Sequence, residues 1–291
     1  MQLNKFIQLH IIILLWGFTP ILGKLISFGA LDLVWYRLAF SLVGLYLFMR
    51  WKGEGIRLPL KSILHLSIIG AIVGLHWYLF YHSIKVSNVS VAMVGFSTLT
   101  LFASIMQPVI LKRKLFWGDI AYGLVMAGAL GIIFRFETDY INGIIYGILA
   151  ALTSAYFGVY NGKLINSYGA YKITFYEFLG ALVFITLAKF FMENNTFVLP
   201  SIEISDFIYL TILSVLCTVV AFTWSVEILK LFSPLTVIIT NNLEPVYGIV
   251  FSLLLFGESE YMSTGFYIGA AIILISVFAY PVIKSKFNVT D

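Results

Sequence analysis

Five stretches of this chain, residues 62–84, 86–111, 140–162, 207–226 and 261–283, contain no Asp, Glu, Lys or Arg. Each is long enough to cross a bilayer as a helix, which takes roughly 20 apolar residues. Three further runs qualify if one charge is tolerated: 33–49 with Arg37, 173–188 with Glu177 and 231–257 with Glu244. Residues 6–23, ended by Lys24, and 117–134, with Asp119 near one end, bring the number of predicted spans to ten. An ionised side chain at the helix centre costs about 2.5 kcal/mol or more, so charge-free runs of this length mark membrane spans. With 60% hydrophobic and 11% charged residues, the chain is far from a soluble domain, which carries about 25% charged residues. Ten spans in 291 residues leave no room for a soluble domain in the connections. The runs stay apolar instead of alternating, which excludes a β-barrel. The first run lacks a small-residue cleavage site and is read as a retained span, not a signal peptide. A single cysteine, Cys217, excludes an internal disulfide, a cysteine-rich metal site and a CxxC redox pair.

Orientation follows from the basic residues. Of the 18 Lys and Arg, thirteen fall on the side of the N-terminus, among them Lys5, Arg50, Lys52, Arg57, Lys61, Lys112, Arg113, Lys114 and Lys230. Only Lys24, Lys85, Arg135 and Lys189 fall on the other side, and Arg37 lies inside a span. The positive-inside rule therefore predicts both termini in the cytoplasm of an inner or plasma membrane. The net charge of +4 is accounted for by these loops, which point to acidic lipid headgroups as their partners and give no reason to invoke nucleic acid.

The chain also repeats itself. Gly23-Lys24-Leu25-Ile26 recurs as Gly162-Lys163-Leu164-Ile165, and Trp35-Tyr36-Arg37 is matched by Phe175-Tyr176-Glu177. Two units are expected, residues 1–138 and 139–291, each of five helices. Five is odd, so equivalent helices must cross in opposite directions. Charge agrees: Lys112-Arg113-Lys114 corresponds to Gly257-Glu258-Ser259-Glu260, a reversal of sign between equivalent loops. The expected fold is all-α, a polytopic membrane protein of ten transmembrane helices arranged as two inverted five-helix repeats. Inverted repeats suit secondary transporters, because two half-domains related by an in-plane axis give inward-open and outward-open states of similar energy.

Several local motifs carry a family resemblance: Leu15-Trp16-Gly17 followed by Lys24, Tyr36-Arg37, the stretch Tyr81–Ser90, and Leu243-Glu244-Pro245-Val246 running to Leu255-Phe256-Gly257-Glu258. In these the chain resembles the EamA family of the drug/metabolite transporter superfamily over its whole length. The resemblance implies a ten-helix bundle that moves small metabolites, often outward. Thr100-Leu101 and Lys114 depart from the family pattern, which often has Thr-Pro and a Glu there.

Glu244 is the sharpest single candidate for transport chemistry. It lies at the centre of the ninth span, where a carboxylate is costly unless it faces a cavity, is protonated or is paired. Pro245 lacks an N–H and is expected to break the helix, freeing the carbonyl of Asn241 beside the amides of Asn241 and Asn242. Broken helices at mid-membrane are where transporters bind substrate or coupling ions; a closed structural knot around the kink is the competing reading. Trp16, Trp77 and Tyr156 are expected as hydrophobic walls and His76 as a candidate proton relay. Arg37 and Glu177 occupy equivalent positions of the two units, each about one turn inside opposite membrane faces. They are candidate gates, or else interfacial anchors that snorkel to the headgroups, or local helix ties. The glycines of the fifth and sixth spans, Gly123, Gly128, Gly131, Gly143, Gly147 and Gly158, are expected at close helix contacts.

No nucleotide-binding, zincin or nucleophile-elbow motif is present, so neither an enzyme nor an ATP-driven pump is expected, and no cofactor or metal site. The reading is a secondary transporter that exports a small organic metabolite such as an amino acid by alternating access, with possible proton coupling. The competing classes are a channel-like facilitator without ion coupling and a membrane receptor or scaffold.

Overall fold

The structure, a computed structural model, describes residues 2–112, 117–193 and 196–286, and all regular structure among them is helical. Arg113 and Lys114, which the charge argument used, lie outside the described residues. The first apolar segment is α1 (Gln2–Gly17) and α2 (Thr19–Leu25); α3 (Ala30–Trp51) and α4 (Leu60–Val86) follow as single helices. The next segment is split into α5 (Val89–Phe96) and α6 (Leu99–Leu111), and α7 (Trp117–Phe136) follows it. The second half contains α8 (Ile141–Tyr168), α9 (Ala170–Met192), α10 (Ile204–Ser214), a π-helical turn (Val215–Val220), α11 (Ala221–Ile228), α12 (Pro234–Asn241), α13 (Leu243–Phe256) and α14 (Thr264–Lys286).

Among the described residues, eight segments are long and apolar enough to cross a membrane: Lys5–Leu25, Ala30–Trp51, Leu60–Val86, Val89–Leu111, Thr138–Tyr168, Ala170–Met192, Ile204–Ile228 and Thr236–Glu260. The other two expected spans fall on α7 and α14, whose apolar stretches, Ala121–Phe136 and Thr264–Tyr280, are shorter. Large apolar side chains such as Leu47, Ile68, Leu124, Val183 and Leu254 point outward. That surface suits lipid, since a water-exposed apolar area of such extent is rare on soluble monomers.

Helix ends are set by local chemistry. Asn88 caps α5 by accepting from the Val91 N–H at 2.9 Å, and Ser233 caps α12 by accepting from the Thr236 N–H at 3.1 Å, with Pro234 in the first helical position. Gly169, at φ +75°, turns the chain between α8 and α9. Helix α4 packs along α8 and α9, α5 and α6 rest on α8, and α7 pairs with α14. The α4–α9 crossing is backbone on backbone: a Cβ at Gly70 would collide with the main chain of Glu177, and one at Gly180 with that of Ser67. Gly95 and Gly147 do the same for α5 and α8. Gly128 and Gly131 depart from the packing expectation, since a Cβ at either would meet nothing within 4 Å.

Candidate functional site

Four of the long segments are interrupted inside their apolar length, and the interruptions meet. The first breaks at Phe18, where the Thr19 hydroxyl donates to the Trp16 carbonyl at 2.7 Å. The fourth breaks at Ser97 and Thr98, whose hydroxyls turn back to the carbonyls of Met93 (2.9 Å) and Gly95 (2.8 Å). The segment Ile204–Ile228 carries the π turn, and the ninth breaks at Asn242, between α12 and α13. Pro245 sits in the first turn of α13, where a missing N–H costs no intrahelical bond. Close approaches join these points: Gly17 packs on Tyr247, Gly248 on Met93 and Pro20, and the Trp16 indole N–H donates to the Cys217 carbonyl inside the π turn at 3.2 Å. π turns are frequent at functional sites, and here the turn presents a main-chain acceptor to a neighbouring helix.

A cavity lies against these breaks. Its lining includes Trp16, Thr19, Arg37, His76, Trp77, Glu244 and Asn241, and it extends past Asn161 and Ser225 to Leu229 and Pro234 at the α11–α12 turn. Arg37 is the best-held charge in it. Its Nε donates to the Thr218 hydroxyl at 2.7 Å and its Nη1 to the Tyr81 hydroxyl at 2.9 Å, while the guanidinium lies 3.9 Å from the centre of the Trp77 ring. The π turn supplies this partner: Thr218 donates to the Leu213 carbonyl, five residues back, at 2.6 Å, which fixes its oxygen towards Arg37. Arg37 is therefore not a headgroup anchor. It is 3% exposed, and two hydrogen bonds and an aromatic face replace its hydration.

Glu244 is 7% exposed and lines the same cavity. Among the described residues no group donates a hydrogen bond to its carboxylate, and no ion pair joins it to Arg37. The site thus holds a fixed cation and an uncommitted acid within one apolar wall. His76 contributes a ring whose Nδ1 lies 2.8 Å from the Ala150 carbonyl, so that nitrogen carries the proton. Phe80, Phe96 and Phe157 surround it.

The two asparagines separate. Asn241 lines the cavity, and its Oδ1 has no partner. Asn242 turns away: its Nδ2 donates to the Thr100 hydroxyl and to the carbonyls of Ile238 (3.2 Å) and Ile239 (3.0 Å), tying the ninth break to the fourth. Tyr156 does not line the cavity. It stacks on Tyr160 with ring centroids 5.7 Å apart, and the next residue, Phe157, faces the cavity in its place. Glu177 lies behind the wall, fully buried, accepting from Asn161 Nδ2 at 3.2 Å. It is not a headgroup anchor either. Sequence reading missed Thr218 and Asn161. Asn161 was visible as an amide within a charge-free run, whereas nothing in the sequence marks the π turn that places Thr218.

The protein is a helical, multi-pass membrane protein whose broken helices converge on a cavity lined by Arg37 and Glu244. The sequence profile of the EamA-like transporter family matches residues 6–135 and again residues 141–280. The chain belongs to that family, consistent with the drug/metabolite transporter superfamily. No curated protein sequence matches it significantly. Among 28 solved chains that match, one described only as "Crystal structure of protein" aligns over 99% of both chains with a TM-score of 0.69 at 14% identity, a likeness of fold alone.

Proposed function

We propose that the protein is a secondary transporter that exports a small zwitterionic metabolite, an amino acid being the best fit, by alternating access. The observation that carries this reading is the sharing of one cavity by Arg37 and Glu244 without a bond between them. A carboxylate of the substrate has the guanidinium to meet. Its ammonium has the uncommitted Glu244 and the unpartnered Asn241 Oδ1, and Trp16, Trp77 and Phe222 offer walls for an apolar side chain.

The scaffold is read as ten spans in two inverted units, 1–138 and 139–291, with cytoplasmic termini. The paired family matches and the sign reversal between equivalent loops support this. In that orientation the cavity reaches the cytoplasmic α11–α12 turn. The outer end is tied by Lys24 to Glu260 at 2.7 Å, Ser27 Oγ to Asp206 at 2.6 Å and Lys85 to the Ile26 carbonyl at 2.6 Å. This pattern corresponds to an inward-facing state.

The test is counterflow in proteoliposomes loaded with a mixture of neutral L-amino acids, with labelled members added outside one at a time. Exchange accelerated by internal unlabelled substrate is expected, and reduced in Glu244→Gln with folded protein retained. Flux without acceleration would instead indicate a facilitator, and flux unchanged in Glu244→Gln would remove that residue from the site.

A further inference from the structure

Behind the cavity wall lies a second acid that the binding site leaves unused. Glu177 is fully buried where α9 crosses α4, and its main chain lies so close to Gly70 that no Cβ fits there. Its Oε2 accepts from Asn161 Nδ2 at 3.2 Å, and its Oε1 has no partner. Asn161 lines the cavity with its own Oδ1 unpartnered. Thr174, fully buried three residues before Glu177 and so on the same face of α9, also has an unpartnered hydroxyl oxygen.

No ionisable group of the helices packed on α9 forms a hydrogen bond or ion pair with Glu177 among the described residues; Asp32 of α3 pairs with Lys189 at the far end of α9 and Lys85 of α4 with the Ile26 carbonyl. On α4, His65 bonds Tyr160 of α8 at 3.0 Å and His76 bonds the Ala150 carbonyl. Arg37 of α3 is held by Thr218 and Tyr81, and Lys163 of α8 lies over the Tyr160 ring. An ionised carboxylate sealed in this place has one amide donor for its whole charge, whereas buried charges persist when paired and fully hydrogen-bonded. The Thr174 hydroxyl brings one O–H, which cannot serve both the Glu177 and the Asn161 oxygens, and a proton on the carboxylate supplies a second donor.

We propose that Glu177 is the site that takes up the coupling proton, with Asn161 linking it to the cavity; this rests on the transporter reading above. The step is a simple protonation. A proton from one aqueous side adds to the carboxylate to give a neutral acid, and the same proton leaves to the other side after the conformational change. The neutral acid fits the sealed packing of α4, α8 and α9. The anion favours an arrangement in which α8 draws away from α9 and admits water. The proton thereby shifts the conformational equilibrium in the way any ligand with unequal affinity for two states does.

The test needs no substrate. Spin labels are placed on the exposed Ser167 and Lys230, which flank the α8 and α11 ends, as Ser167→Cys and Lys230→Cys in a Cys217→Ser background, with the full chain in lipid nanodiscs. The distance distribution is expected to shift between acid and alkaline pH, to be frozen in its acid form by Glu177→Gln, and to titrate again with a displaced midpoint in Glu177→Asp. A wild-type distribution independent of pH, a Glu177→Gln protein that titrates like wild type, or loss of the whole shift in Glu244→Gln would each overturn the proposal. Should Glu177→Gln fail to fold, Asn161→Leu takes its place: a displaced midpoint is expected, and an unchanged one overturns the assignment. A failure of amino-acid exchange with the pH shift intact would count against the cargo and not against the proton site.

Discussion

Glu260 joins the two ends of the chain: its carboxylate meets the Lys24 ammonium at 2.7 Å and accepts from the N–H groups of Val89 (3.1 Å) and Ser90 (2.8 Å) at the start of α5. The Ser90 hydroxyl adds a further bond at 3.0 Å. The side chain of Glu260 is fully buried and that of Lys24 is 27% exposed, so the two halves of this contact differ in weight. The carboxylate completes the N-terminus of α5, where two main-chain donors have no intrahelical acceptor.

Glu260→Ala is accordingly expected to cost on the order of 3 kcal/mol, the range for breaking a buried, hydrogen-bonded charge pair. Lys24→Met should cost no more than about 1 kcal/mol, because a partly exposed ammonium is screened. Denaturant unfolding in detergent compares them. Equal losses would show that the ion pair, and not the helix cap, is what matters.

Arg37 offers a test that separates charge from geometry. Lysine keeps the charge but has no planar fork to reach Thr218 and Tyr81 together while lying on Trp77. Arg37→Lys is expected to slow counterflow about tenfold or more, equivalent to the loss of roughly one charge-assisted hydrogen bond of ~1.5 kcal/mol. Transport rates normalised to reconstituted protein check this. A lysine variant with wild-type rates would mean that only the positive charge is used.

The glycines divide by what a methyl group would meet. Gly70→Ala and Gly180→Ala place a Cβ against the backbone of the opposite helix, and overpacking of this kind costs about 1–3 kcal/mol. Gly128→Ala meets nothing within 4 Å on α7 and is expected to be neutral or stabilising by up to about 1 kcal/mol from helix propensity. Thermal unfolding should therefore show lowered midpoints for Gly70→Ala and Gly180→Ala and an unchanged or raised one for Gly128→Ala.

The apolar helices could be read from the sequence because ionised groups are expelled from hydrocarbon: each expected span falls largely on helix, and among the described residues eight of the segments are long and apolar enough to cross a membrane. Glu244 was visible for the same reason: a lone acid within an apolar run has few places to go. Rotation about the helix axis was not visible. Helix α8 is apolar nearly all round, so nothing in its pattern chooses between Tyr156 and Phe157 for the cavity. The burial of Arg37 was hidden too, since its hydrogen-bond partners lie 44 and 181 residues away. Counting from the end of its span placed it within reach of headgroups, a position that a guanidinium gives up only when distant segments supply acceptors and an aromatic face of their own.

Asn241 and Asn242 are adjacent in sequence and predicted to behave oppositely. Asn242 uses its amide to tie the break in the ninth segment to Thr100 and to the carbonyls of Ile238 and Ile239. Its Oδ1 is unpartnered like that of Asn241, but removing the side chain takes a donor from the Thr100 hydroxyl and the Ile238 carbonyl, at a cost of about 1–3 kcal/mol, while the Ile239 carbonyl keeps the Asn242 main-chain N–H. Asn241 has a buried Oδ1 without a partner and borders the cavity, so Asn241→Ala relieves an unmet hydrogen-bond demand in the empty protein. Its stability is expected within about 0.5 kcal/mol of wild type, the range of substitutions that break no existing interaction. Its counterflow should show a raised half-saturation concentration for the amino acid, while Asn242→Ala lowers the unfolding midpoint and leaves that concentration unchanged in the protein that remains folded. If Asn242→Ala weakens substrate affinity at full stability, the tie to Thr100 belongs to the binding site and not to the scaffold.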